Sequence, residues 1–155
     1  MQSPGYVWLI SNVTQAGLIQ TDPVATGLER SCADDWLVFA PHQTGIQRIE
    51  AYFSGKAYRP HRHDTYSIGY TINGVQSFHY RGARSDSTSG DVIVLHPDEV
   101  HDGQAGSNSG FRYRMLYIQP SLVRDALGAS ASALPFVKNA VLGDARLLSV
   151  LQTAL

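Results

Sequence analysis

The chain has 155 residues, of which 43% are hydrophobic and 16% charged, so we expect one main folded domain with a sizeable core. Twelve basic residues face thirteen acidic ones, a balance that argues against a chain that binds nucleic acid by itself. Its one cysteine, Cys32, allows no internal disulfide. The sequence shows no secretory signal and no apolar run of the roughly 20 residues that span a membrane, so we expect a cytoplasmic protein without membrane contact.

Residues 1–30 show no sustained hydrophobic period and are predicted to form an N-terminal arm. Two interpretations stay open for its apolar side chains. Tyr6, Trp8 and Leu9 could form a lid that becomes ordered when a ligand binds, or the segment is a frayed terminus or an edge strand.

From residue 36 the sequence becomes typical of β-strands. Residues 36–40 form an apolar run, and residues 44–53 alternate, with Ile49, Ala51 and Phe53 on one face. Farther on, Asn73-Gly74 separates two strand-like runs. We predict a hairpin there, because Asn-Gly is typical of a type I′ turn, in which both central residues take positive φ.

Two polar segments rich in Gly and Ser, 81–90 and 102–110, are predicted to be loops on either side of a short apolar strand, 92–95. Residues 111–118 alternate again, with large apolar side chains on one face and two arginines on the other. At least six strands with tight turns therefore predict an antiparallel barrel or double-sheet roll.

After Pro120 the period becomes helical. Ser121 is the predicted N-cap of a first helix and Gly128 its C-terminal glycine, and Asp144 is the predicted cap of a second helix. Four leucines on one side of the second helix form either a symmetric dimer seam or a face that packs on the barrel: Leu147, Leu148, Leu151 and Leu155. Because no stop signal follows, we expect a further domain beyond residue 155.

Two glycine-led segments, Gly55-x5-His61-x-His63 and Gly90-x5-His96-Pro97 through His101, bring histidines to the ends of predicted strands. His61 and His63 lie two residues apart, so on a strand they share one face, and His101 could add a third imidazole. Three imidazoles with an open position suit zinc, nickel or iron. In the alternative interpretation these histidines are polar pocket walls or hydrogen-bonded rim residues without a metal.

These two segments resemble the two cupin motifs, and residues 36–127 resemble the N-terminal effector-binding domain of AraC-type transcriptional regulators. The resemblance implies a mainly β fold, a cupin-like antiparallel β-barrel followed by C-terminal α-helices. It divides the chain into an arm (1–30), a barrel (31–120) and a helical dimerisation and linker region (121–155). It also implies a small-molecule effector in the barrel, a homodimer, and DNA contact only through a helix-turn-helix domain beyond this chain.

We predict that eight side chains line the effector pocket: His61, His63, Tyr66, Tyr70, Phe78, His96, His101 and Tyr113. In the alternative interpretation most of the aromatic rings only fill the core. Arg112 and Arg114 are expected on the solvated face of their strand, the alternative being an inward clamp on a carboxylate effector.

The sequence departs from metal-binding cupins at several places, including His96 for the usual proline and Asp98 for the usual glycine. These proteins usually carry a glutamate shortly after the paired histidines, where this chain reads Asp64-Thr-Tyr-Ser-Ile, and a late asparagine that this chain lacks. We therefore expect a ligand-sensing regulatory domain that is not an enzyme, has no catalytic residues and requires no cofactor, although its three histidines could hold zinc, nickel or iron. The alternative is a small metal-dependent cupin enzyme such as an isomerase or dioxygenase.

Overall fold

The computed structural model describes residues 34–128 and 132–155. The residues of the predicted lid, Tyr6, Trp8 and Leu9, lie outside this part of the chain. Within it, nine strands and two helices follow in order: β1 Trp36–Phe39, β2 Ile46–Phe53, β3 Lys56–His61, β4 Tyr66–Tyr80, β5 Ala83–Thr88, β6 Val92–Leu95, β7 His101–Ala105, β8 Phe111–Ile118, α1 Pro120–Leu127, β9 Val141–Leu142 and α2 Ala145–Ala154. The predicted fold class, a mainly antiparallel β structure with C-terminal helices, is confirmed.

Strand β4 belongs to both sheets of the barrel. Its first part pairs with β8 and β6, and its second part pairs with β5 and β7. One sheet therefore has the order β1-β2-β8-β4-β6-β9, and the other contains β3, β7, β4 and β5. Buried apolar side chains from both sheets form a single cluster, so the core lies between them.

The predicted alternation of β2 and β8 is confirmed. Ile49, Ala51 and Phe53 are buried along β2, and the four large apolar side chains of β8 are buried in turn. The ring of Phe53 lies 5.8 Å from that of Phe111, centre to centre, and 5.4 Å from that of Tyr58. Aromatic rings therefore fill much of the interior.

The predicted hairpin at Asn73-Gly74 is wrong, because β4 continues through it as a β-bulge. Thr71 pairs with Tyr113, and Asn73, two residues later, pairs with Arg112, so β4 contains one extra residue. Gly74 has a φ of 74°, and a Cβ at this position would overlap the carbonyl oxygen of Gly110. Glycine is needed here for a close approach of two backbones and not for a chain reversal.

The bulge reverses which side chains of β4 face the core. Before it, Ser67 and Thr71 are buried on the inner side, whereas Tyr70 packs on the outer side against α2. After it, Gln76 and Phe78 face inward. A single extra residue thus decides which alternate side chains in the second part of this 15-residue strand point into the barrel.

The actual hairpin turn is Arg81-Gly82, whose φ values are 51° and 78°. Tyr80 and Ala83 pair on either side of it, and two consecutive positive φ values are those of a type I′ turn. The segment 81–90 is therefore not a loop, since it contains β5, and the segment 102–110 contains most of β7. Both predictions failed because these strands carry polar side chains, which give no hydrophobic period.

The helix signals were only partly correct. Gln119, not Ser121, is the N-cap of α1, because Pro120 occupies its first turn. Gly128 ends α1 with a φ of 76°, and the carboxylate of Asp144 accepts hydrogen bonds from two backbone N–H groups at the start of α2, as predicted. Neither described helix is long and apolar enough to cross a membrane.

The leucines of α2 pack on the barrel within this chain. Leu151 is buried in a cluster with three side chains of the sheet: Tyr70, Val92 and Val94. The other three members of the predicted seam, Leu147, Leu148 and Leu155, are partly buried against the same cluster. The second interpretation of this leucine face describes the structure, and the homodimer stays a prediction.

Candidate three-histidine site

Three histidines from the two glycine-led segments converge at one end of the barrel. His61 ends β3 and His101 begins β7, and the two residues pair directly across the sheet, while His63 lies in the link before β4. Ring centres are 4.4 Å apart for His61 and His101, and 4.9 Å apart for His63 and His101. One nitrogen from each ring lies within 4.8 Å of the others.

Backbone carbonyls orient all three rings. Nδ1 of His61 lies 2.7 Å from the carbonyl oxygen of Arg59, and Nδ1 of His101 lies 2.9 Å from the carbonyl oxygen of Glu99. In His63 the corresponding distance, to Thr65, is 3.0 Å. Because a carbonyl oxygen can only accept, each Nδ1 carries the hydrogen, so in the neutral rings Nε2 carries the lone pair. This is how metal-binding histidines are commonly held.

Burial keeps two of these rings neutral. Desolvation lowers the pKa of His101 to about 4, and the neighbouring imidazoles of His61 and His63 act in the same direction. Desolvation likewise lowers the pKa of His63. Both rings are therefore uncharged near pH 7 and have a lone pair to offer, although Ser67 Oγ, 2.9 Å from His63 Nε2, donates a hydrogen bond to one of them.

A small cavity lies beside the histidines inside the barrel. Its volume is about 30 Å³, enough for about two water molecules. Gln76, which is 7% exposed, lines this cavity. Among the residues that the structure describes, its Oε1 is the single buried side-chain oxygen or nitrogen without a hydrogen-bond partner. A buried acceptor without a partner marks a place for water or for the donor group of a ligand.

The sequence matches the model of the AraC-like ligand-binding domain over residues 43–155. The chain belongs to this family. A comparison with curated protein sequences finds no match.

Solved structures similar to this AraC-like domain include proteins named as cupins. A cupin 2 conserved barrel domain protein from Leptotrichia buccalis aligns with a TM-score of 0.53 and 14% identity over 59% of this chain and 44% of that chain. A cupin superfamily protein from Desulfitobacterium hafniense DCB-2 aligns with a TM-score of 0.52 and 10% identity over 70% of this chain and 99% of that chain. At such low identity the likeness shows the fold alone, and that fold is the cupin barrel.

The three histidines of the AraC-like domain fit a divalent metal by their chemistry. Neutral imidazoles are good ligands for zinc, nickel and iron. Because each Nδ1 donates to a backbone carbonyl, Nε2 is the atom that would bind the metal. In the described part of the chain the cluster contains no carboxylate. A metal held here would therefore have three protein ligands and open positions for water or an effector.

The structure brings together some predicted pocket residues of the AraC-like domain and separates others. Phe78 and Tyr113 line the small cavity together with His61 and His101, and His63 lies beside it. Several lining residues were not in the predicted set: Tyr58, Ser67, Gln76, Met115 and Tyr117. The alternation along β8 indicates that Met115 and Tyr117 face inward, whereas the inward direction of Gln76 depends on the bulge in β4.

Tyr66, Tyr70 and His96 lie outside the cavity, contrary to prediction. Tyr66 Oη donates to the carbonyl oxygen of Pro135 at 2.9 Å, and His96 Nε2 accepts from the backbone N–H of Val137 at 3.0 Å. All three residues lie on the outer face of the barrel, beneath the C-terminal segment, because strand alternation directs their neighbours inward.

Arg112 and Arg114 bind a carboxylate of the AraC-like domain itself. Arg114 Nε lies 2.8 Å from Glu50 Oε2, and Arg112 pairs with the other oxygen. Strands β2 and β8 pair so that the side chains of Glu50, Arg112 and Arg114 share the outer face of the sheet. The solvated-face interpretation therefore describes these arginines, and the inward clamp is wrong.

A buried tyrosine pair next to the cavity yields a stability prediction. The hydroxyl oxygens of Tyr58 and Tyr113 are 2.5 Å apart, and burial raises the pKa of Tyr58 to about 12, so both groups stay protonated. Tyr113→Phe leaves the Tyr58 hydroxyl without this partner and should lower the free energy of unfolding by about 1–3 kcal/mol. Urea denaturation measures this loss.

The double variant is the control for this pair. Tyr58→Phe with Tyr113→Phe removes both hydroxyls, so its cost should be clearly less than the sum of the two single costs. Strict additivity would contradict a direct hydrogen bond between the tyrosines.

Proposed function

We propose that this AraC-like domain is the sensor of a transcription regulator. It binds a small-molecule effector at the three-histidine end of the barrel and thereby controls a helix-turn-helix domain elsewhere in the full-length protein. The observation that carries the proposal is the convergence of three oriented imidazoles with an unpaired buried amide oxygen, Gln76 Oε1, around one cavity. Binding rather than catalysis is proposed, in a cytoplasmic homodimer.

The size of the cavity bears on what the effector is. About 30 Å³ is too small for a sugar or an aromatic acid. A groove of about 450 Å³ on the outside of the same end shares His101 and Asp102 with the cavity. An organic effector would occupy this groove or displace inner side chains, whereas a metal ion needs only the three histidines.

We therefore also propose that the site holds a divalent metal, and Zn²⁺ is the first ion to test. Adding Zn²⁺ to the metal-free protein at about 100 times the dissociation constant should stabilise the fold by about 2.7 kcal/mol, because only the folded chain brings the three rings together. His101→Asn should abolish the thermal shift. Differential scanning fluorimetry with Zn²⁺, Ni²⁺ and Fe²⁺ measures it.

A matched control is His42→Asn, since His42 is an exposed histidine before β2. It should keep the full response to Zn²⁺. The metal proposal fails if the wild-type protein shows no shift, or if His101→Asn responds as strongly as His42→Asn. Screening of sugars and organic acids by the same method, with and without metal, then tests the effector.

The three-histidine donor set also favours a second candidate, a small metal-dependent cupin enzyme. This candidate requires turnover by the metal-loaded protein. Binding of an unchanged small molecule, recovered intact from the loaded protein, supports the sensor instead.

A further inference from the structure

Arg81 occupies an unfavourable backbone position. It is the first central residue of the β4–β5 hairpin turn, with a φ of 51°. Asn, Asp and Gly are the residues that suit a type I′ turn, because a larger L side chain is strained in the left-handed region. Such strain persists only where the surrounding contacts hold the residue in place.

The guanidinium of Arg81 joins three segments that are distant in the sequence. Its Nε donates to Glu99 Oε1 at 2.9 Å, and its Nη1 donates to the carbonyl oxygen of Val137 at 3.2 Å. The same group lies over two aromatic rings, 4.7 Å from the centre of Tyr80 and 4.6 Å from that of Phe136. One side chain thus holds together the hairpin, the turn before β7 and the segment before α2.

One end of this connection reaches the three-histidine site, and the other reaches the cluster under α2. Toward the site, the carbonyl oxygen of Glu99 accepts the Nδ1 hydrogen bond that orients His101. Toward the helices, Val137 packs in the cluster of Leu147 and Leu151 under α2. A continuous series of contacts therefore runs from an imidazole of the site, through Glu99 and Arg81, to the last helix.

We infer that Arg81 is a positioning residue that couples the three-histidine site to α2. This inference deepens the proposed function, which it needs for its ligand. A ligand that holds His101 also holds the turn of Glu99. Through Arg81, the position of that turn affects how firmly the segment before α2 is attached. The coupling is only as large as the difference in these contacts between the bound and free states.

The test compares two arginines of the same hairpin. Arg81→Asn removes the guanidinium but supplies a residue that suits the turn, so β4 and β5 should stay paired. The control, Arg84→Asn, alters a more exposed arginine that bonds to Asp86 and Ser77. Amide hydrogen exchange is measured by mass spectrometry for wild type and both variants, with and without Zn²⁺.

In wild type and in Arg84→Asn, Zn²⁺ should slow exchange about threefold or more both in residues 96–101 and in residues 135–151. In Arg81→Asn, the slowing by Zn²⁺ in residues 135–151 should be clearly smaller than in wild type, with the direct bond from the Val137 N–H to His96 Nε2 left to connect them to residues 96–101. If residues 135–151 of Arg81→Asn still respond as in wild type, or if they do not respond in wild type, the inference is overturned while the metal site stands.

If Zn²⁺ changes no segment of the wild type, the proposed metal site fails, and the metal-free samples decide the inference. In these samples, Arg81→Asn should exchange about threefold or more faster than wild type in residues 96–101 and in residues 135–142, because both lose a shared attachment. Equal rates in either segment would overturn the inference.

Discussion

Replacing Gly74 with alanine should lower the free energy of unfolding by about 3 kcal/mol or more, as the sum of left-handed backbone strain and overpacking. The new Cβ would overlap the carbonyl oxygen of Gly110, a main-chain atom that no side-chain rotation can move away. Relief requires β4 and β8 to separate at the bulge. Urea denaturation of the purified variant measures the loss.

Gly82→Ala is the matched control, because it shares the backbone conformation but not the crowding. Gly82 has a φ of 78°, close to the 74° of Gly74, and nothing lies within 4 Å of a Cβ built there. Its cost should therefore be the backbone strain alone, about 1 kcal/mol. Equal losses in the two variants would contradict the close approach of the strands.

The bulge also matters for the site, because it turns Gln76 and Phe78 toward the cavity. A folded Gly74→Ala variant with a displaced bulge should therefore respond less to ligands than Gly82→Ala. Thermal shift measurements on both proteins compare the two responses.

Acidification from pH 6.5 to about pH 4 should destabilise the domain by about 3 kcal/mol through His101 alone. Desolvation lowers the pKa of this ring from 6.5 to about 4 in the folded chain. Between these values the unfolded chain binds a proton that the folded chain does not, so stability falls as the pH falls. Lowered pKa values of His63 and His96 act in the same direction.

Urea denaturation at several pH values between 4 and 7 measures this dependence, and His101→Gln is the comparison. The variant should lose the part of the slope that belongs to His101 and keep the part that belongs to the other buried histidines. An unchanged slope in His101→Gln would show that acid destabilisation has another origin. Protonation of the imidazoles at low pH should also weaken Zn²⁺ binding, because a protonated imidazole cannot bind a metal.

Much of the barrel could be predicted from local patterns. Alternation along β2 and β8 identified their buried faces, because each of these strands has one side in the core and one in solvent. Asp144 was recognised as a helix cap because its short carboxylate suits the exposed N–H groups of a first turn. The histidines were predicted to meet because each of the two segments brings them to an end of a strand at the same end of a barrel.

The missed strands share one physical reason, which is that a strand without hydrophobic alternation is held by partners elsewhere in the chain. The polar strand β5 is recognisable only through its pairing with β4, and the buried hydroxyl of Ser87 has its hydrogen-bond partner in Thr71 on that strand. Similarly, His96 follows β6, which is apolar and buried on both faces, so the local pattern does not show whether His96 faces the cavity or the C-terminal segment.

The amino-acid sequence by itself determined the family, the strand and helix types of its strongly periodic segments, and the three imidazoles that converge. Tertiary structure alone decided where the chain reverses, since β4 runs through Asn73-Gly74, where its backbone closely approaches Gly110, and turns only at Arg81-Gly82, inside a segment predicted to be a loop. It also decided which side chains surround the cavity, because one extra residue in β4 inverts the inward face of everything that follows it in the strand.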